Sequence, residues 1–356
     1  MATLAAAFQA GLGGVHSMSG TTTGGASNHA VQEPSTLLSA LIIGPEHVST
    51  NAVLGRMEIG PSFYRQVWYC PKEESEGSGH PTVWVAASVR ATPESAVAGV
   101  NTLSGTIQSR LIDVSDGPAY ASFADRAWRP EPGTGGGRLL FTRGNIMGDV
   151  YVSSNIGEEA LLSVARALSR KIDAVLAGKP EPVPVLHFLG HGGTRDGATR
   201  EEQGIEGAWA VKKLQESWGE QGTTLVFVDD NGLPRGIPAK RLGEKDYLVP
   251  PNFVTMLLDP TSKINPEFAG ATFHGPPPPY ANVTILGKKV HLDPDKGLLT
   301  ADDKAVQLDR PLQSDQGFML VPLSSFAEKA LGVKVEFSKH GDLPKITLKP
   351  ADAVGK

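Results

Sequence analysis

The chain has 356 residues, 40% of them hydrophobic and 20% charged, so it can bury a sizeable core but is long for one; two or three domains are expected. A net charge of −5, with acids and bases scattered along the chain, offers no basic stripe to neutralise phosphates, so nucleic acid is not an expected partner. The single cysteine, Cys70, excludes an intramolecular disulfide framework and the usual structural zinc site, and no apolar run of about eighteen residues is present to span a bilayer.

Residues 1 to about 35 are rich in Gly, Ser and Thr and poor in large apolar side chains, which predicts a largely disordered leader over 1–50, broken only by the short apolar run Leu37–Ile43. No Lys or Arg precedes Arg56, so the basic n-region of a secretory signal is not visible. Phe63–Tyr69 and Val83–Val89 are aromatic and β-branched and read as a hairpin. Thr92-Pro93-Glu94 supplies a cap, a first-turn proline and a first-turn acid for a helix whose apolar stripe is Val97, Val100 and Leu103.

Two more strands are expected at Arg138–Arg143 and Val150–Val152, separated by Gly148-Asp149, with the glycines at 135–137 as a loop tip. The strongest helical pattern follows. Asn155 and Glu158 are spaced as a capping box, Leu161, Val164, Leu168, Ile172 and Val175 share a stripe, and Gly178 is placed to stop the helix. Strands paired locally and covered by helices predict an α+β domain over 51–178.

Residues 179–275 form a Pro/Gly-rich middle region, read as an elaboration of the preceding domain or a separate unit, with a short helix near Ala208–Trp218 and a strand at Thr223–Val228. Four prolines open the segment 276–281, which reads as an extended spacer and the main domain boundary. Beyond it, Asn282–Leu286 and Val290–Leu292 flank Gly287-Lys288-Lys289 as a hairpin. Ser325 and Glu328 are spaced as a capping box, and Gly332 ends that helix. Val333, Val335 and Phe337, then Ile346 and Leu348, alternate with polar residues as two final strands before a tail at 350–356.

The succession Leu286-Gly287-Lys288, Val321-Pro322-Leu323, Ala330-Leu331-Gly332-Val333 and Lys345-Ile346-Thr347-Leu348 resembles the stalk domain named after the N-terminal region of copper amine oxidases. The resemblance covers 282–349. It implies a small αβ module of antiparallel strands with one helix, an extracytoplasmic location, and a spacer or contact role. It implies no copper, and no cofactor is expected, because none of the six tyrosines follows an Asn as the quinone-forming motif of those oxidases requires. The fold class expected overall is α+β, a larger α+β domain followed by the small stalk-like one.

Three groups of residues invite a chemical reading. His187 and His191 are four apart and share a face on a strand, so with a third ligand they would hold zinc, and the following Gly192-Gly193 makes them candidates for a hydrolase. No Gly-x-Ser-x-Gly elbow supplies a nucleophile, and Cys70 lies among aromatic residues that favour a buried thiol. Asp293 and Asp295 are spaced as in a calcium loop, but Gly297 occupies a ligand position and a solvated turn explains them as well. Asp229–Gly232 reads the same way. The function that the stalk-domain resemblance implies is a non-catalytic binding or scaffold protein of the cell envelope, with cell-wall or surface proteins as partners; the alternative is a hydrolase using His187 or His191.

Overall fold

A computed structural model describes residues 34–49, 52–70, 82–107, 110–132, 137–153, 156–187, 212–229, 232–251, 254, 281–293, 296–315 and 318–350. The fold is mixed and strand-rich, and the chain divides into two compact units, one of residues 1–52 and 56–184, the other of Val53–Gly55 and residues 185–356.

The first unit contains helix α1 (Pro34–Ala40), strands β1 (Val53–Ile59, its first three residues grouped with the second unit), β2 (Phe63–Tyr69) and β3 (Thr82–Val89), and helix α2 (Pro93–Ile107). These are followed by β4 (Leu111–Asp113), β5 (Arg126–Pro130), β6 (Gly137–Arg143), β7 (Ile146–Val152) and helix α3 (Glu158–Leu176). One sheet in the order β1-β2-β3-β7-β6-β5-β4 takes all seven strands. The expected hairpin of β2 and β3 forms in the register Val67↔Trp84. The capping expected before α2 also forms: Ser95 N–H donates to Thr92 Oγ1 at 3.2 Å, and Thr92 N–H donates to Ser95 Oγ at 2.9 Å.

Both faces of this sheet are covered around β6 and β7. Val100 and Leu103 of α2 pack on Trp128, Leu140 and Met147, while α3 brings Leu161, Val164, Leu168 and Ile172 to the alternate residues Leu139, Phe141 and Val150, all fully buried. Gly178 takes φ +68° and ends α3 as expected, with Lys179 N–H donating to Ala174 O at 2.8 Å. Asn155 of the expected capping box lies outside the described residues; Gly157 holds the cap position of α3.

The apolar run that interrupts the predicted leader forms a lid on β2 and β3: Leu38, Leu41, Ile42 and Ile43 are fully buried, and α1 packs on β2, β3 and α3. The side-chain amide of Gln66 clamps the backbone of Ile43 from both sides, accepting from its N–H at 2.9 Å and donating to its O at 3.0 Å. Tyr64 donates its hydroxyl to Leu41 O at 2.8 Å.

One correction concerns the β6–β7 turn, which is Gly144-Asn145, with Arg143 opposite Ile146 and Gly144 at φ +55°. Gly148 and Asp149 lie inside β7. Gly148 sits opposite Phe141, whose ring would lie 2.5 Å from a Cβ there, so this glycine makes room for a ring.

The second unit opens with β8 (Leu186–His187), a short helix α4 over 212–217, β9 (Gly222–Val228), β10 (Pro234–Arg241) and β11 (Tyr247–Val249). Four short strands follow, β12 (Ala281–Ile285), β13 (Lys288–Asp293), β14 (Leu298–Ala301) and β15 (Lys304–Ala305), and make a separate meander. After β16 (Gln313–Asp315) and β17 (Phe318–Pro322), helix α5 runs Leu323–Ser325 and widens to a π-helix over Phe326–Leu331. The last hairpin is β18 (Val333–His340) and β19 (Leu343–Pro350).

The expected boundary at 276–281 does not separate these strands. One sheet runs β16-β17-β11-β10-β9-β19-β18, with β8 beside β10, so strands from both sides of the spacer alternate within it. Their core is shared: Leu225, Ile237 and Val249 pack in one cluster with Phe326, Leu331, Val335 and Ile346, and with Ile285, Val290 and Leu299 of the meander. Two local expectations also shift. The β12–β13 turn is Leu286-Gly287, both at positive φ, with Lys288 already in β13. Ser325 caps nothing with its side chain; it is buried and accepts a long bond from Asp309 N–H. Gly332 ends α5 at φ +71° as expected.

Two outcomes follow. A fragment 282–349 is expected to show no cooperative urea transition by circular dichroism, whereas 185–356 is expected to show one, because β9, β10 and β11 complete the core. Burial pushes the Tyr64 phenol well above its ordinary value of 10.0. Its contribution to stability is therefore complete below about pH 10 and lost as pH rises above that, where only the unfolded chain ionises. The alkaline unfolding profile of Tyr64→Phe is expected to be flatter than that of the parent.

Candidate functional site

Of the residues singled out from the sequence, the structure describes Asp293, Cys70 and the backbone of His187. His187 lies on β8 with its backbone opposite Gly236 of β10, and His191 lies outside the described residues. Asp293 is buried at the end of β13 and accepts from Lys296 N–H at 3.0 Å and Lys296 Nζ at 2.9 Å, bonds that hold its carboxyl below the usual carboxylate range. It is a turn-closing acid. Asp295 lies outside the described residues. Among the described residues no three His, Cys, Asp or Glu side chains gather where a metal ion would fit. Cys70 is buried, as its aromatic surroundings suggested.

Side chains do converge on the face of the first sheet that α2 covers, in the part nearer β2 and β3. Alternation places Val67, Trp84, Tyr151 and Arg138 in one cross-strand row over β2, β3, β7 and β6, and Arg65, Ala86, Asp149 and Leu140 in the next. Leu140 belongs to the cluster under α2, and the remaining residues continue that face.

The Arg65 guanidinium lies 5.5 Å from the centre of the Trp84 ring, and Tyr151 meets Trp84 edge-on at 6.4 Å and 80°. Arg65 donates to Glu58 of β1 at 2.7 Å, and Glu58 also pairs with Arg56. Arg138 makes a two-point bond to Asp149, Nε to Oδ1 at 2.9 Å and Nη2 to Oδ2 at 2.5 Å, with both side chains 10% exposed. Burial on its own would lower the Arg138 pKa. The Asp149 charge and its hydrogen bonds reverse that and hold the guanidinium above its ordinary value.

The two flanks of the aromatic pair thus differ in function. Arg138 is committed to Asp149, which leaves its bidentate fork no further partner to take. Arg65 is committed to Glu58 only through Nη2, and its Nε is buried without a hydrogen-bond partner. Trp84 and Tyr151 are each half-buried, so the accessible part of the patch is aromatic, backed by a guanidinium. Such a surface holds a ring or apolar group by area and a neighbouring acceptor by charge.

The sequence carried a signal for this face. Arg65 in β2 and Trp84 in β3 occupy the alternate positions of a hairpin whose strands were legible, and Arg138 and Asp149 fall close across the true β6–β7 turn. Among the described residues no helix is long and apolar enough to cross a membrane. Comparison with protein-family models, with curated proteins and with solved structures finds no match in any of the three.

Removing the anion should expose the cost of the buried pair. Asp149→Ala is expected to destabilise the chain by about 3–5 kcal/mol in urea unfolding, since Arg138 is left charged and unpaired in the sheet. Arg138→Leu with Asp149→Leu is expected to unfold near the parental midpoint, because both charges are gone.

Proposed function

We propose that this chain is a non-catalytic binding or scaffold protein of the cell envelope or secreted space, taking cell-wall or surface proteins as partners. The observation that carries the reading is the half-buried Trp84–Tyr151 pair backed by Arg65, held on a seven-stranded sheet whose two faces are covered around β6 and β7. Tryptophan, tyrosine and arginine on a rigid support dominate the energetics of protein recognition, since they present large contact area and lose little freedom on binding. The resemblance of 282–349 to the stalk domain supports the extracytoplasmic location and a contact role for that segment.

Isolated cell walls that retain their surface proteins provide the test. The purified chain is expected to sediment with them, and Trp84→Ala, checked for an unchanged circular dichroism spectrum, is expected to lose at least about tenfold in affinity. Recovery of the native protein in the cytosolic fraction, with no sedimentation on walls, would overturn the reading. Ester hydrolysis abolished by His187→Ala or His191→Ala would replace it with the hydrolase.

A further inference from the structure

Strand β18 ends the eight-stranded sheet. It pairs along its whole length with β19 and, among the described residues, with no strand on its other side. An eight-residue edge presents a row of N–H and C=O groups that a further strand would satisfy. The face of β18 turned to the core carries Val333 and Val335, both buried, with Phe337 packed beside them; the opposite face carries Lys334, Glu336 and Ser338.

A lysine on such an edge ordinarily keeps a second copy away, because it adds charge that the partner strand must desolvate or meet. Lys334 and Glu336, two residues apart on one face, act in the opposite sense. When two copies of a strand pair antiparallel about a two-fold axis normal to the sheet, both copies keep the same face toward the core. With Val335 on the axis, Lys334 of each copy stands opposite Glu336 of the second copy, and Val333 stands opposite Phe337. Both ion pairs are then satisfied, and the apolar face continues unbroken across the join.

The neighbouring registers fail. An axis through Lys334 or through Glu336 sets like charges face to face, and an axis through Phe337 sets Val335 opposite Lys339. The charges are also disposed to rearrange. Lys349 holds Glu336 at 2.7 Å within the hairpin, whereas Lys334 reaches the same carboxylate only at 3.8 Å. Lys334 and Glu336 are 52% and 40% exposed, so each can turn to the new strand without leaving water for a dry site.

We infer that the chain forms a two-fold dimer in which β18 pairs antiparallel with β18 of a second copy, with Val335 at the axis and Lys334 opposite Glu336. The inference is independent of what the first unit binds. Each dimer would carry two copies of the Trp84 face.

Sedimentation velocity on the full chain tests it. The parent is expected to dimerise below about 100 μM. Lys334→Glu and Glu336→Lys are each expected to weaken association at least about tenfold, since each sets like charges opposite one another twice. Mixing the two single variants in equal amounts is expected to restore a dimer, because every pair in the mixed species is complementary. The double variant carrying both exchanges is expected to dimerise like the parent. A parent that stays monomeric at about 100 μM, or a dimer indifferent to the single exchanges, would overturn the inference.

Discussion

The register between β6 and β7 is the constraint on which the first unit depends. Because side chains alternate along a strand, a slip of one residue would turn Arg138 and Asp149 into the apolar layer under α3 and bring Leu139 and Val150 out to the Arg65 face. The two-residue turn at Gly144-Asn145 holds that register from one end through the left-handed Gly144. Gly148 opposite Phe141 holds it from the middle, since only a residue without a Cβ fits against that ring. The Arg138–Asp149 pair is then a consequence of the register as well as a support for it. A shifted pairing would leave two charges buried apart.

What was legible in the sequence was mostly what neighbouring residues decide. The Thr92 start of α2, the apolar stripe of α3 and the glycine stops at Gly178 and Gly332 depend on contacts within one or two turns of chain, the β2–β3 hairpin on pairing between neighbouring segments, and all are present. Gly148-Asp149 has the composition of a turn and is not one, because its roles come from Phe141 and Arg138 on the neighbouring strand. The same reason explains Ser325: its spacing to Glu328 is that of a cap, but its hydroxyl is turned to Asp309 in a buried position. Arg65 over Trp84 was within reach of strand alternation alone; Arg138 with Asp149 was not, until the turn between them was placed.

The middle region resisted reading for a different reason. Pro234, Gly236 and Pro238 argue against a central strand, yet β10 lies inside the sheet. Its flank away from β9 is shared by β8, which pairs at Arg235 and Gly236, and β11, which pairs at Lys240 and Arg241. Pro238 falls in the interval that neither covers, where a missing N–H forgoes no bond on that side. Proline density thus marks a change of partner along one strand, and at 276–279 it has the composition of a gap between domains although strands on both sides of it share a sheet.

The parallel pairing of β9 with β19 also sets an order of events during synthesis. Thr223–Val228 is a run of β-branched and apolar residues, and its flank away from β10 is closed by a strand that starts only at Leu343. While the chain grows from the ribosome, the strands of the first unit have all their partners within residues 53–152 and can pair as they emerge. The second sheet must wait for more than a hundred further residues before β9 is covered. Over that interval an adhesive strand edge is exposed to whatever else is nearby, including the same segment of another nascent chain. The interleaved order of strands that unites the second unit thus makes its sheet the later of the two to close.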